Sequence, residues 1–120
     1  MANKILVPSE AQEQKALCQW LDKQNIRYFA TAMGVWFGKP NPAYINSLKQ
    51  RGFKNGVPDL VLLFDNGVTA FIELKKQKGG KVSEAQKQWI GWLQAHEFPA
   101  KVCNGAREAI KFIIEIKGQK

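Results

Sequence analysis

A chain of 120 residues holds one hydrophobic core and is too short for two, so a single domain spanning residues 1–120 is expected. Hydrophobic residues at 45% and charged residues at 23% describe an ordinary soluble globule, and no apolar run approaches the roughly 20 residues a bilayer-spanning helix needs. The net charge of +8 and pI near 9.7 point to a polyanionic partner, most simply nucleic acid.

Met1–Pro8 reads as a loose leader, and nothing in it resembles a signal peptide. Ser9 and Gln12 form a capping-box pattern, which predicts a helix from Glu10 to about Gln24 with Leu17, Trp20 and Leu21 as its buried stripe. Glu10 and Glu13 both fall near that stripe. A short strand is expected over Arg27–Thr31, then a turn-rich break at Gly38–Pro42. Ala43–Arg51 can form a short helix with Tyr44, Ile45 and Leu48 on one side. It displays Lys49 and Arg51, followed by Lys54, beside the loop that leads to Asp59, where these cations can hold a phosphate backbone. Pro58 restricts Val57 to an extended conformation.

Two apolar runs, Leu60–Phe64 and Val68–Leu74, are joined by Asp65-Asn66-Gly67 and predict a β-hairpin. After it, Lys76, Lys78 and Lys81 lie in a glycine-containing basic loop suited to phosphate attraction. Ser83 and Gln86 form a second capping box, opening a helix to about Ala95 expected to bury Trp89, Ile90, Trp92 and Leu93. His96 at its end reads as a partner of the helix dipole. Pro99–Cys103 reads as a strand, and Asn104 as the cap of a last helix through Ile116, with Ala109, Ile110, Phe112, Ile113 and Ile116 inward. Cys18 and Cys103 lack metal-type spacing and read as reduced, buried residues of an intracellular, cytoplasmic protein.

The hairpin carries the chemistry. Glu73 and Lys75 are two apart on a strand and project from one face. Asp59 joins them only in one register. A two-residue Asn66-Gly67 loop sets Asp59 opposite Leu74, on the wrong face. A three-residue loop with Gly67 left-handed pairs Phe64 with Val68 and Asp59 with Glu73, and is the expected form. Two neighbouring carboxylates repel unless a cation lies between them, and hard oxygen ligands suit Mg²⁺ or Mn²⁺. The competing reading is a surface hairpin with solvated charges.

Pro58-Asp59 followed by Glu73-Leu74-Lys75 is similar to the PD…(D/E)xK signature of the nuclease superfamily of that name. The wider series resembles the VRR-Nuc (virus-type replication-repair nuclease) family: Ser9–Gln14, Leu48–Leu60, Ile72–Lys75, Gly80–Leu93 and Val102–Ile110, in the family's order. The resemblance implies an α/β fold with a restriction-endonuclease-like core, a central mixed sheet flanked by helices. It implies a Mg²⁺- or Mn²⁺-dependent DNA endonuclease. Asp59, Glu73, the Leu74 backbone carbonyl and Glu10 would hold the metal, Lys75 would assist the attacking water, and Gln86 would lie near them. Glu13 is the alternative to Glu10. The region around Trp36 and Phe37 aligns with a variable DNA-approaching loop, although core burial is the commoner fate of such a pair. Stand-alone members of the family resemble homodimeric nucleases of branched DNA such as four-way (Holliday) junctions. The rivals are a DNA-binding module without catalysis and a flap- or restriction-type nuclease on the same core.

Overall fold

A computed structural model of the chain describes residues 6–31 and 41–118. Trp36, Phe37 and most of the expected Gly38–Pro42 break lie outside the described residues. The elements run α1 (Glu10–Lys23), β1 (Arg27–Ala30), α2 (Pro42–Gln50), β2 (Leu60–Leu63), β3 (Thr69–Lys75), α3 (Glu84–Ala95), β4 (Ala100–Asn104) and α4 (Ala106–Lys117). The strands form one mixed sheet in the order β1-β2-β3-β4, antiparallel except for the parallel β3–β4 pair. With helices on both of its faces, this is the α/β layering expected.

Alternation along β3 divides the sheet into two faces. Ala70, Ile72 and Leu74 join Leu60 and Leu62 of β2 in the larger core, where Leu17 and Leu21 of α1 and Ala109, Ile113 and Ile116 of α4 cover them. On the opposite face Ile90 and Leu93 of α3 pack on Ala100, with Phe71 and Val102 beside them. Glu73 and Lys75 belong to this second face.

The hairpin turn sets the register. Phe64 N–H donates to the Val68 carbonyl at 2.9 Å, Gly67 N–H donates to the Phe64 carbonyl at 3.0 Å, and Gly67 sits at φ 85°. That left-handed conformation is open to glycine at no steric cost. The loop therefore has three residues, and Leu60 pairs with Ile72, Val61 with Phe71. One step further, Asp59 stands opposite Glu73.

Several local expectations needed correction. Cys18 is half-buried rather than buried, while Cys103 is buried; both are free thiols. Trp20 and Trp89 are half-buried, and Trp92 is 53% exposed instead of inward. None of α2 is fully buried, and Tyr44 on its expected apolar side is 56% exposed. Asn104 does not cap α4: Gly105 occupies the cap position without a side-chain bond. The acceptor comes from another element, because the Ala106 N–H donates to Glu13 Oε1 at 3.1 Å. Among the described residues no helix is long and apolar enough to cross a membrane.

Candidate metal centre

Asp59 stands where the β2–β3 ladder ends. Its side chain replaces the missing strand partner, with Oδ2 accepting the Leu74 N–H at 2.9 Å. Its own main chain is held from the other side: Thr31 N–H donates to the Asp59 carbonyl at 2.9 Å and Thr31 Oγ1 donates to the Pro58 carbonyl at 3.0 Å. The expected Arg27–Thr31 strand thus ends as a ladder at Ala30, while Thr31 continues its hydrogen bonding to clamp the carboxylate's backbone. N–H and C=O of one strand residue point to the same neighbour, so the Leu74 carbonyl faces the Asp59 side as well.

Glu73 is 1% exposed. Its Oε2 accepts Gln86 Nε2 at 3.2 Å and lies 3.5 Å from the buried Lys75 ammonium. Its Oε1 is buried with no hydrogen-bond partner among the described residues. Gln86 serves twice, since its side-chain oxygen also closes the Ser83 capping box at 2.9 Å. Burial, then the neighbouring Asp59 carboxylate, push the Glu73 carboxyl up to about 8, against a smaller opposing pull from Lys75. A buried acid with an orphaned oxygen is costly, and a cation bound to that oxygen would remove both penalties.

The donors for such a cation are on hand. One oxygen each from Glu10, Asp59 and Glu73 lie within 4.8 Å of one another. Three hard carboxylates plus a carbonyl on the same side form the kind of set that Mg²⁺ or Mn²⁺ takes, leaving positions open for water and substrate.

Glu13 is turned elsewhere. One helical turn after Glu10, it is 6% exposed; Oε1 accepts the Ala106 N–H, and Oε2 accepts Gln77 Nε2 at 2.8 Å. It ties α1 to the start of α4 and to the segment leaving β3. Spacing could not separate the two glutamates, because both lie near the same stripe.

The loop before Asp59 is seated on α3. A Cβ at Gly56 (φ 84°) would stand 2.6 Å from the Ala85 backbone, a contact no side chain tolerates. Beside it, Trp89 Nε1 donates to the Asn55 carbonyl at 3.1 Å. The partner of Gly56 lies 29 positions on and cannot be read from spacing. The six cations expected to meet DNA are all exposed: Lys49, Arg51 and Lys54 at the end of α2 and beyond, Lys76, Lys78 and Lys81 between β3 and α3. Among the described residues none of them forms an ion pair within 4 Å.

The family model for the VRR-NUC domain matches residues 8–107. Two solved structures share the fold. A VRR_NUC domain protein superposes with a TM-score of 0.69 at 22% identity, over 92% of this chain and 89% of its own. A VRR_NUC domain structure gives 0.61 at 18% identity, over 87% and 92%. No curated protein matches the chain.

Proposed function

The chain belongs to the VRR-NUC family of nuclease-type domains, and from that footing we propose that it is a Mg²⁺- or Mn²⁺-dependent endonuclease hydrolysing phosphodiester bonds of DNA. One observation carries the reading: the Glu10–Asp59–Glu73 carboxylate cluster, with a buried Glu73 oxygen that has no partner among the described residues, beside the Lys75 ammonium. Asp59, Glu73, Glu10 and the Leu74 carbonyl would hold the ion. When bound, the ion supplies Lewis-acid polarisation of the phosphoryl oxygen and an acidified water.

The chain's own residues do the rest. Asp59 is fixed at both ends, by Leu74 and by Thr31, so its carboxylate cannot swing away when substrate arrives. Gln86 orients Glu73 from the first turn of α3. Lys75 presents a buried ammonium where negative charge grows on the phosphate during attack, and such charge is stabilised most strongly out of water. Lys49, Arg51, Lys54, Lys76, Lys78 and Lys81 draw in the phosphate backbone. Among DNA substrates we place branched forms such as four-way junctions first, cut by a homodimer: a two-fold junction needs two incisions, and a two-fold pair of chains supplies two sites.

The test incubates the protein with a labelled four-way junction, a flap and a linear duplex in Mg²⁺, Mn²⁺ or EDTA, beside Asp59→Asn and Lys75→Ala. Paired, metal-dependent nicks confined to the junction, lost in both variants, are the expected result. Cutting of all three substrates removes the junction preference and keeps the nuclease. Tight binding without cutting in any metal makes the protein a DNA-binding module, and undiminished cutting by both variants means the site is elsewhere.

A further inference from the structure

The α3 helix carries two apolar stripes, and the core uses only one. Ile90 and Leu93 are buried on the sheet. Ala85, Trp89 and Trp92, spaced by four and three residues along a neighbouring flank, line an apolar groove together with Asn55 and Gln88. Trp92 keeps 53% of its surface in water, although its ring is stacked on His96 with 3.9 Å between centroids. Trp89 anchors the Asn55 loop, whereas Trp92 faces water, and an apolar stripe left so marks a binding surface.

Neighbours in the chain tie the groove to the carboxylate cluster. Ala85 adjoins Gln86, which holds Glu73, and Asn55 lies on the loop that delivers Asp59. Exposed lysines border it in sequence: Lys54 beside Asn55, Lys81 just before α3, and Lys87 beside Gln88, the last in an exposed pair with Glu84 at 3.7 Å.

We propose that this groove takes an unpaired nucleobase of the DNA being cut, stacked on Trp92, while its phosphates pass Lys54, Lys81 and Lys87 toward Asp59 and Glu73. This rests on the nuclease reading and deepens it, by making the substrate a DNA with a nucleotide out of its stack near the scissile bond. Every base offers a π-face, so an indole binds it without regard to sequence, and the bordering cations match the charge of the phosphates on either side. A second copy of the chain fits less well. A two-fold contact centred here would set each lysine border against its equivalent, in a protein already carrying +8.

The experiment measures binding in EDTA of a short oligothymidylate and of an abasic oligonucleotide of equal length, to wild type, Trp92→Ala and Trp92→Phe. Trp89 is left alone because it anchors the Asn55 loop. Wild type should prefer the base-bearing strand about tenfold, Trp92→Ala should lose that preference, and Trp92→Phe should keep most of it. A preference undiminished in Trp92→Ala overturns the proposal. So does Trp92→Ala turning a dimer into a monomer in sedimentation while the preference stays. Cleavage in Mg²⁺ separates the two readings: a Trp92-dependent preference without any cutting keeps the groove and removes the nuclease, whereas cutting without the preference does the reverse.

Discussion

Glu73 shows what one buried carboxyl does to a fold. Its proton is held up to about pH 8 in the folded chain, against 4.5 for an ordinary glutamate. Between those values the folded state binds a proton that the unfolded state has lost, so raising the pH through that window destabilises the metal-free protein. Below it both states are protonated, above it neither, and the dependence vanishes. Thermal melts in EDTA should therefore fall from pH 5 to pH 8, and Glu73→Gln should flatten that fall. Mg²⁺ should raise the wild-type midpoint most at the alkaline end, where the carboxylate is free to bind it, and leave Glu73→Gln nearly unmoved. A metal-free profile rising over the same range would show that Glu73 is not the group described.

At the scale of elements, the site depends on joins between segments remote in sequence. Asp59 is placed by Thr31 just after β1, by Leu74 of β3 and by the α3 helix on which Gly56 rests, all remote from it in the chain. Glu13 forms another such join, holding α1 to the α4 N-terminus and to Gln77. Glu13→Ala should cost about 1–3 kcal/mol in denaturant unfolding by stranding a buried N–H. Hydrogen exchange at Ala106 should speed up in the same variant. Asn104→Ala, at the position the sequence offers as the cap, should stay within about 0.5 kcal/mol of wild type. Equal losses in the two variants would contradict the cap assignment.

For the molecule as a whole, a charge of +8 makes DNA affinity steeply dependent on salt. Measured in EDTA, the affinity of the Lys76→Ala, Lys78→Ala, Lys81→Ala triple variant should fall, and its log–log salt slope should shrink by about 0.9 for each phosphate that is no longer neutralised. Asp59→Asn, which removes a negative charge, should leave affinity within a few-fold. A triple variant with the wild-type slope would take the segment between β3 and α3 off the DNA path.

The sequence by itself determined what short-range rules govern. Two capping boxes fixed the starts of α1 and α3, because the bonds span three residues. The Asp65-Asn66-Gly67 turn allowed two hairpin registers, and the need for Asp59 to share a face with Glu73 and Lys75 chose between them. Order and type of the elements followed from the same local patterns. The tertiary structure alone decided which of Glu10 and Glu13 faces the other acids, what caps α4, which of Trp89 and Trp92 stays in water and where Gly56 touches. Each of those depends on how two elements far apart in the chain approach one another, and helical or strand periodicity holds no record of a partner's position. Glu10 and Glu13 lie one turn apart on one helix; only the packing of α1 against the sheet and α4 gives them different neighbours and different work.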